Sequence, residues 1–536
     1  MIKPNHSSVD IKLLILELRP DLCQRFGFDL PENYEAYSGW LLTSGIKEYA
    51  ALEEAPALLA EFQAPGSGPN GLLKKLQYMV WKARPDVQQA FPLPEKTVEF
   101  LTWFYTHGLE EHGFWSFLSS AEQACVLQLP EPWFSRIRSA LPAMLKEPER
   151  RLPFNNRPFG VNLIGYAYGQ LGIGEDARMA ARALLAAEVP VTMLNFPPGA
   201  DIPQNDRSMA SHVSEQGPFA FNIFCMTALE NGRYYAERGG HQFNDRYNIG
   251  YWPWELSRWP KQWESMVDLV DEVWVSTQHT FDALTPVCAK PVLLMPMAVE
   301  LGSLSEFSSR KKAREYFGLP VKARLFCFSF DLNSSFHRKN PQACVDAFLQ
   351  AFPSDDFAAD KVGLVIKAHR PAKRHSAWEK LKALAAKDAR IHIVERTLPR
   401  PDLLALYQAC DCFVSLHRAE GFGRGIAESL QLGMHVITTG YSGNVDFCRN
   451  PYTDLVRYRL IKVKKGQYPY GEGQVWAEVD VAHAAELMRN FVVAKRKNTT
   501  KTEWPAFSAT VVGERYRTRL AEIGRSSLGI NKLKPK

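Results

Sequence analysis

The feature that most constrains the fold is a regular alternation of short apolar segments with helix-like segments, which begins at Phe159. The apolar segments are rich in β-branched and aromatic residues, as in FGVNLIG, VTMLNF, FNIFCM, YNIGYW, DEVWVS and VLLMPM. Strands that alternate with helices favour a parallel sheet covered on both faces, and buried parallel strands are continuously apolar, as these segments are. This part of the chain therefore predicts a doubly wound α/β domain.

The alternation pauses between Leu301 and Pro320 and then starts again with RLFCFSFD, GLVIKAH, RIHIVE, DCFVSL and HVITTG. A second set of the same kind predicts a second doubly wound domain. Two such domains facing each other leave a cleft at the carboxyl ends of their strands, where open α/β sheets bind ligands. The last helix-like stretch, Phe507 to Ile523, is expected to pack back on the first of the two domains.

An internal repeat marks the N-terminal part of the chain. Each copy begins with Arg-Pro-Asp, which starts a helix, and continues with apolar residues at helical spacing. The matched positions are Arg19 with Arg84, Trp40 with Trp103 and Gly45 with Gly108. We therefore predict an all-α N-terminal domain with two internal repeats.

These patterns divide the 536 residues into four parts, in line with about 150 residues per domain. We expect a helical repeat domain over 1–150, a first doubly wound domain over 151–305 and a second over 306–505. A C-terminal helix and a basic tail are expected over 506–536. The polar, proline-bearing stretch from Lys146 to Pro158 is the expected linker after the helical domain.

Charge and composition exclude several functional classes. The formal net charge of +6 is small and the basic residues are dispersed, so no nucleic-acid partner is expected. Nine cysteines without paired spacing indicate a reduced, cytoplasmic compartment, and Cys410 and Cys412 lack the second pair that a metal site needs. No apolar run reaches the roughly 20 residues that span a bilayer, so any membrane contact is expected to be peripheral, through the basic tail from Arg525.

The strongest chemical signal is the segment EGFGRGIAE, from Glu420 to Glu428, which follows the strand-like DCFVSL. Its glycines let the backbone approach a ligand closely, and the start of the next helix offers unpaired N–H groups to a phosphate. The two flanking glutamates suit polyhydroxylated groups, because a carboxylate accepts paired hydrogen bonds from vicinal hydroxyls. A sugar nucleotide carries such hydroxyls on its ribose and on its sugar, so the segment predicts a sugar-nucleotide site.

This segment resembles the Glu-x7-Glu motif of the large group 1 (family 4) of retaining glycosyltransferases, whose architecture of two Rossmann-like domains is called GT-B. The resemblance covers roughly residues 159 to 523 and leaves out the helical repeats. It implies that Glu420, Phe422 and Gly423 contact the donor sugar and its phosphate and that Glu428 holds the ribose. It also implies an acceptor-side domain, a donor domain, and no metal or cofactor besides the nucleoside-diphosphate sugar as co-substrate.

A second part of the resemblance is DLNSSFHRKNP, from Asp331 to Pro341, after the first strand of the second doubly wound domain. Arginine and lysine at a helix start neutralise charge that develops on a leaving diphosphate. Lys339 aligns best with the lysine of the family, whereas the family's arginine position, about six residues earlier, holds Asn333. The resemblance therefore implies that Lys339, with Arg338 beside it and Glu420 on the sugar, is catalytic.

Two glycine-bearing loops are expected to line the donor cleft. NLIGYAYGQLGIGEDAR places Gly172 and Gly174 between a strand and a helix, like the family's loop that faces the donor phosphates. Its spacing differs from Gly-x-Gly-x-x-Gly and no acidic residue ends the next strand, which disfavours a nicotinamide enzyme. GYSGN, after a later strand, predicts Asn444 as a polar donor contact.

The segment IGYWPWELSRWPKQW, residues 249–263, is unusually aromatic. Aromatic faces with polar edges suit a carbohydrate acceptor, and Glu255 and Trp254 are the candidates for acceptor contacts. The same rings would suit the core of the first α/β domain equally well. This segment and DEVWVSTQHT resemble a bacterial subgroup of the family.

The resemblance implies transfer of a glycosyl group from a nucleoside-diphosphate sugar to a hydroxyl of a carbohydrate or lipid-linked glycan, with retention of configuration. The implied setting is bacterial surface polysaccharide or lipopolysaccharide synthesis at the cytoplasmic side of the membrane. An epimerase or a phosphorylase on the same architecture is an alternative, although no pyridoxal-lysine context is recognisable. Another is a noncatalytic carbohydrate- or nucleotide-binding subunit of a polysaccharide-assembly complex, with the helical repeats as its surface for protein partners.

Overall fold

The computed structural model describes residues 9–28, 30–130, 152–199, 202–302, 307, 309–369, 375–494 and 504–528. The predicted basic tail beyond 528 and residues 146–151 of the predicted linker lie outside these residues. The chain divides into two compact units. The first comprises Met1–Arg157, Ala228–Tyr247 and Asp268–Asp271, and the second comprises Pro158–Thr227, Asn248–Val267 and Glu272–Lys536.

The N-terminal region is helical, as predicted. Its α-helices are Ile11–Leu18, Pro20–Phe26, Pro31–Trp40, Ile46–Glu48, Pro56–Gln63, Lys75–Ala83, Pro85–Ala90, Thr97–Trp103, Leu109–His112 and Ser120–Leu127. Leu41–Gly45 and Phe104–Gly108 are π-helical, and Ala50–Glu54, Phe114–Phe117 and Phe154–Asn156 are 3₁₀ turns. The first unit also contains the helix Ala228–Arg238 and the 3₁₀ turn Gly240–Gln242.

The same ion-paired arginine occurs at the start of both sequence repeats. In each copy the arginine precedes the proline that begins a helix and binds the aspartate two positions later, together with a more distant glutamate. The ion pairs are Arg19 with Asp21 and Glu48, and Arg84 with Asp86 and Glu111. The guanidinium therefore ties the start of one helix to a later helix in both copies.

In both copies a tryptophan directly precedes a π-helical turn and a glycine is the last residue of that turn. A β-carbon at Gly45 would lie 3.3 Å from Cζ3 of Trp40, and a β-carbon at Gly108 would lie 3.3 Å from Cζ3 of Trp103. The indole packs on a bare Cα in each case. This close approach explains why both positions carry glycine.

The first sheet of the second unit has six strands, in the order β2-β1-β3-β4-β5-β6. The strands are β1 (Val161–Gly165), β2 (Val191–Asn195), β3 (Phe221–Cys225), β4 (Tyr247–Tyr251), β5 (Glu272–Val275) and β6 (Val292–Leu294). β1 pairs in parallel with both β2 and β3, and β5 pairs in parallel with β4 and β6. Every residue of β1, β3 and β5 is buried, as in a sheet covered on both faces.

The second sheet also has six strands, in the order β12-β11-β10-β7-β8-β9. The strands are β7 (Arg324–Asp331), β8 (Val362–His369), β9 (Ile391–Glu395), β10 (Cys412–Ser415), β11 (His435–Thr439) and β12 (Thr453–Val456). β8 and β11, the strands that follow β7 and β10 in the chain order, lie on opposite sides of the β10–β7 pair, and such a reversal of strand order leaves a crevice at the carboxyl ends of the strands. The predicted pair of Rossmann-like, doubly wound domains of the GT-B architecture is confirmed.

Helices surround both sheets. They are Gly172–Ala186, Gln278–Leu284, Arg310–Tyr316, Phe336–Lys339, Pro341–Ala351, Ser376–Ala385, Arg400–Ala409, Arg424–Gln431, Val445–Cys448, Val481–Val493 and Ala509–Leu528. Short 3₁₀ turns are Ala210–His212, Lys261–Leu269, Thr285–Val287 and Pro505–Phe507. Among the described residues, none of the helices is both long and apolar enough to cross a membrane.

An antiparallel hairpin follows the second sheet and was not predicted from the sequence. It consists of β13 (Tyr458–Lys462) and β14 (Val475–Val479), with Tyr458 opposite Val479. The connecting residues 463–474 form a long loop, which the bond from Val463 N to Gln474 O, 2.9 Å, closes at its base. This hairpin loop reaches the candidate site described below.

The C-terminal helix Ala509–Leu528 lies against the helix Gly172–Ala186. Tyr516 is buried, and its hydroxyl donates to the Tyr251 hydroxyl and to Pro296 O, each at 3.1 Å. Arg519 pairs with the buried Glu272 at 2.6 Å. The sequence-based domain boundaries near 150, 305 and 505 stay a prediction.

Gly513 allows this helix contact, and we expect Gly513→Ala to weaken it. A β-carbon there would lie 1.8 Å from Ala183 O, so the two helices must move apart, at a cost of about 2 kcal/mol or more. Thermal and urea unfolding of the full chain measure the loss. The matched control is Gly524→Ala in the same helix, whose β-carbon would meet nothing within 4 Å, so that alanine stabilises by roughly 0.5–1 kcal/mol. Equal unfolding midpoints for the two variants would contradict this account of the contact.

Candidate functional site

The loops that leave β7 and β10 meet at the point where the strand order of the second sheet reverses. After β7, the Ser335 hydroxyl accepts a bond from Arg338 N at 3.2 Å and so caps the short helix Phe336–Lys339. Asn340, in the left-handed region at φ 52°, ends that helix, and its Nδ2 donates to Leu416 O at 3.0 Å. This bond fixes the loop after β7 against the loop after β10.

Four residues that the sequence analysis selected lie together here. Lys339 Nζ is 2.5 Å from Glu420 Oε1, and Arg338 Nη1 is 3.0 Å from Glu420 Oε2. Arg338 Nη1 also donates to Ala419 O at 2.9 Å, and its Nη2 lies 3.5 Å from Glu255 Oε1. The Glu420 and Arg338 side chains are only 10% and 6% exposed, whereas Lys339 and Glu255 at the edge of the cluster are 19% and 24% exposed.

Burial and charge act against each other on these groups. Burial alone would raise the pKa of Glu420, but Lys339 and Arg338 outweigh it and lower this pKa to about 2. Burial lowers the pKa of Lys339 despite the attraction of Glu420. Burial would also lower the pKa of Arg338, but Glu255 and Glu420 raise it above its ordinary value. Glu420 is therefore an anion and Arg338 a cation at neutral pH.

Tyr468, from the hairpin loop, completes this cluster. Its hydroxyl donates to Glu255 Oε2 at 2.7 Å, and the Arg338 guanidinium carbon lies 5.7 Å from the centre of its ring. The Ser335 hydroxyl donates to Gln467 O at 2.8 Å and holds the loop in place. Sequence reasoning missed Tyr468, because the surrounding GQYPYGEG has only the composition of a turn.

The turn after Glu420 packs closely against the loop GYSGN. Glu420 N donates to Ser442 Oγ at 2.8 Å, and Gly443 N donates to Glu420 O at 2.9 Å. A β-carbon at Gly443 would lie 1.9 Å from Gly421 O, so only glycine fits there. Thr277, from the first α/β domain, donates through Oγ1 to Gly421 O at 2.7 Å.

Asn444, a predicted donor contact, lies in the interior. Its side chain is fully buried, with His417 Nε2 at 3.0 Å from Oδ1 and Nδ2 donating to Thr439 O at 3.0 Å. Burial lowers the pKa of His417 to about 4, so this ring is neutral at pH 7. In the structure Asn444 holds the loop GYSGN in place through its bonds to His417 and Thr439.

Phe422 and Gly423 prepare the start of the helix Arg424–Gln431. The Phe422 ring packs against Phe447 and Phe507 at centroid distances of 5.1 and 6.0 Å. Gly423 has φ 94°, a conformation that favours glycine, and is the residue before the first helical turn. The turn therefore presents backbone, with the Phe422 ring anchored away in an aromatic cluster.

Glu428, the second glutamate of the motif, is paired with Arg400. Arg400 Nη1 lies 2.7 Å from Glu428 Oε1, and Arg400 Nε lies 3.3 Å from Glu175 Oε1. Glu175 in turn binds Arg178 at 2.9 Å. Arg400 thus connects the motif to the glycine-rich loop and helix of the first α/β domain. Sequence reasoning missed Arg400, although its position at a helix start after β9 was a usable signal.

The two candidate glycines of that loop have different surroundings. A β-carbon at Gly174 would lie 2.4 Å from Gly169 O, so Gly174 allows the loop to fold onto the first helical turn. A β-carbon at Gly172 would meet nothing within 4 Å. Arg178 Nη1 donates to Ala167 O and Gly169 O at 3.1 and 3.0 Å and fixes the loop. Close packing explains Gly174, whereas Gly172 lies beside open space.

The acceptor candidates Trp254 and Glu255 are adjacent in sequence but differ in environment. Trp254 is 2% exposed, donates through Nε1 to Arg258 O at 2.7 Å and packs edge-on against Trp263 at 5.0 Å. Glu255 joins the cation cluster through Arg338 and Tyr468. Trp254 is therefore a packing residue next to Glu255, held by Arg258 and Trp263.

Lys367, on β8, is a further cation near the motif that sequence reasoning missed. It is 5% exposed and has no hydrogen-bond partner within the described part of the chain. Burial lowers its pKa to about 8, against the attraction of Asp331 and Glu428. No set of three or more His, Cys, Asp or Glu side chains arranged for a metal ion occurs among the described residues.

Lys367→Met is expected to stabilise the unliganded protein at pH 7. A lysine whose pKa falls from 10.5 to about 8 on folding costs about 3 kcal/mol while it is charged, and methionine removes that charge. The folded lysine loses its proton above pH 8 while the unfolded one keeps it until about 10.5, so the gain in melting temperature should shrink over that range. Thermal melts from pH 6 to pH 10 measure this. A gain that does not change with pH would refute the charge as its cause.

Comparisons with known proteins bear on this site. Residues 334–458 match the family described as glycosyl transferases group 1, and this segment contains Arg338, Lys339, Glu420 and Glu428. No curated protein matches the chain in sequence.

The chain also resembles several solved structures. HepE of Anabaena in complex with UDP and glucose is 13% identical, with a TM-score of 0.46 over 70% of this chain and 100% of that chain. Sucrose-phosphate synthase from Thermosynechococcus elongatus is 16% identical, with a TM-score of 0.44 over 69% and 98%. The α,α-trehalose 6-phosphate synthase from Burkholderia multivorans is 10% identical, with a TM-score of 0.45 over 69% and 99%. Identities this low concern the fold alone.

The family match coincides with the crevice of the second sheet, from the loop after β7 to the start of β13. Both motif glutamates and both cations lie in that segment. Residues 334–458 are therefore similar to the glycosyl transferases of group 1.

Proposed function

We propose that the chain transfers a glycosyl group from a nucleoside-diphosphate sugar to an acceptor hydroxyl, with retention of anomeric configuration. The observation that carries this proposal is the cluster of Arg338, Lys339 and the buried Glu420 at the carboxyl ends of β7 and β10. Ligands of open α/β sheets bind at such a reversal of strand order.

The donor diphosphate is placed beside Lys339 and Arg338. The two cations share one glutamate in the unliganded chain, and Lys339 keeps 19% of its side chain exposed. A diphosphate brings further negative charge, which these cations and the first N–H groups of the helix Arg424–Gln431 stabilise. Charge that develops on the leaving diphosphate is thereby offset without a metal ion or another cofactor.

The two motif glutamates are assigned to hydroxyl groups. Glu420, whose pKa is held near 2, accepts hydrogen bonds from the donor sugar. Glu428 uses Oε1 for Arg400, and its Oε2 has no partner within the described residues, which leaves that oxygen for the ribose. Arg400 fixes the carboxylate that receives the ribose.

Retention is proposed without a protein nucleophile. A carboxylate with a pKa of about 2 is a weak base and is held by two cations, so Glu420 suits hydroxyl binding better than proton abstraction. The departing diphosphate oxygen takes the proton of the acceptor hydroxyl on the same face of the sugar. The protein contributes position and electrostatic stabilisation.

The proposed setting is bacterial surface polysaccharide or lipopolysaccharide synthesis, in the cytoplasm or at the inner face of the membrane. It rests on the resemblance of residues 249–263 to a bacterial subgroup of the family. The acceptor is then a carbohydrate or a lipid-linked glycan, and the helical repeats are candidates for contact with a protein partner.

Donor binding is the first test. We expect one sugar nucleotide from a panel of UDP-, GDP- and ADP-sugars to raise the melting temperature of the full chain. Lys339→Gln and Glu428→Gln should each weaken that binding at least 10-fold, about 1.4 kcal/mol, because each removes a charged contact. Isothermal titration with the selected donor gives the dissociation constants.

Asp388→Asn is the matched control for these variants. Asp388 pairs with Arg390 at 2.6 Å near the amino end of β9, at the edge of the sheet opposite the site. This variant loses an ion pair of similar burial but should bind the donor as the native chain does. If a folded native chain binds none of the donors, the proposal fails and a noncatalytic scaffold explains the chain better.

Retention has its own test. With the selected donor and water as acceptor, proton NMR identifies the anomer of the released sugar before it equilibrates. Release of the anomer of the donor supports retention, and release of the opposite anomer contradicts it.

A further inference from the structure

A cavity of about 540 Å³ lies beside the cluster of Arg338 and Glu420. One wall consists of residues 258–262, which follow β4, and the other consists of residues of the hairpin loop between 464 and 474. A volume of this size lies within the roughly 300–1,000 Å³ that small-ligand sites occupy. It is large enough for a sugar with a substituent.

The two walls are fixed to each other by hydrogen bonds. Arg258 N donates to Gln474 Oε1 at 3.0 Å, and Gln474 Nε2 donates back to Arg258 O at 2.9 Å. Behind them Trp263 and Tyr470 pack edge to face at 5.2 Å. Because both amide atoms of Gln474 are used, the cavity has a defined shape before any ligand binds.

The cavity is strongly positive. Its lining contains four cations, Arg258, Lys261, Lys464 and Lys465, and one carboxylate, Glu472. Lys261, Lys464 and Lys465 form no ion pair within the part of the chain that the structure describes. A ligand with a negative group is therefore favoured over a neutral one.

The remaining lining suits a sugar ring. Trp259, Tyr468 and Tyr470 contribute aromatic surface to the cavity. Trp259 is 5% exposed, and its indole Nε1 has no hydrogen-bond partner among the described residues.

Tyr468 connects the cavity to the reaction centre. It lines the cavity, and its hydroxyl donates to Glu255, which lies 3.5 Å from Arg338. Arg338 in turn binds Glu420 at 3.0 Å. Tyr468, Glu255 and Arg338 thus form a continuous chain of contacts from the cavity to Glu420, the group assigned to the donor sugar.

We propose that this cavity binds the acceptor and that the acceptor is an anionic carbohydrate, with its phosphate or carboxylate group against Lys261, Lys464 and Lys465. The inference rests on the proposed function, since it places the acceptor next to the donor. The acceptor hydroxyl oxygen forms a bond to the anomeric carbon while the bond from that carbon to the diphosphate oxygen breaks. The bonding electron pair stays on the diphosphate, which also receives the hydroxyl proton.

The test is direct binding to the full chain with UDP at saturation, followed by tryptophan fluorescence and titration calorimetry. The probes are glucose, glucose 6-phosphate and glucuronate, which share one ring and differ in charge. We expect at least one anionic probe to bind 10-fold or more tightly than glucose. The stronger of the two identifies phosphate or carboxylate as the preferred group.

Charge reversal locates the binding. The double variant Lys464→Glu, Lys465→Glu should bind the anionic probe at least 10-fold more weakly and should bind glucose as the native chain does. The matched control is Lys380→Glu, Lys387→Glu, which reverses two exposed lysines on and after the helix Ser376–Ala385 and should change neither. The proposal would be overturned if the native chain bound neutral and anionic probes with equal affinity. It would also be overturned if the double variant bound the anionic probe as tightly as the native chain does.

Two further measurements separate the acceptor proposal from the proposed donor site and from a role of the lysines in membrane binding. Thermal shifts with nucleotide sugars report the donor site in every variant, so their absence in the native chain counts against the proposed function while anion binding still tests the cavity. Vesicles that contain phosphatidylglycerol are the remaining probe. Vesicle binding that depends on Lys464 and Lys465, without binding of any sugar, would assign these lysines to a membrane surface and overturn the acceptor proposal.

Discussion

The site depends on one buried carboxylate held between two cations. Glu420 lies between Lys339 and Arg338, and their charges more than offset the cost of burying it. The contacts of this group join the loops after β7 and β10, the segment that carries Glu255, and the hairpin loop with Tyr468. These same few charges therefore align four parts of the chain that are distant in sequence, and removing Glu420 would leave Lys339 without its ion-pair partner in this cluster.

Much of the fold and part of the site could be predicted from local sequence patterns. Continuous apolar segments between helix-like segments are sufficient to predict two parallel sheets, because buried parallel strands need apolar side chains on both faces. Strands of one sheet end at one edge, so the residues that follow β7 and β10 had to approach each other, and Arg338, Lys339 and Glu420 do so. Glu255 joins them from the aromatic segment.

Other contacts have no local signature. Tyr468 lies on a hairpin whose turn composition does not indicate where the loop points, and Arg400 reaches Glu428 and Glu175 from a third segment. The pattern around Asn444 resembles that of a ligand contact, but burial behind the loop determines its hydrogen bonds. Side-chain orientation depends on tertiary packing, which the spacing of residue types along the chain does not encode.

The two sequence stretches that begin at Arg19 and Arg84 contain the same local arrangement in different surroundings. Trp40 packs on Gly45 as Trp103 packs on Gly108, and a β-carbon added at either glycine would lie 3.3 Å from Cζ3 of the tryptophan. Each copy in the N-terminal unit therefore serves as a control for the other. A substitution in one copy can be compared with its counterpart in the other under identical conditions, and any difference between them reports the influence of the neighbouring helices, separate from the intrinsic properties of the repeated element.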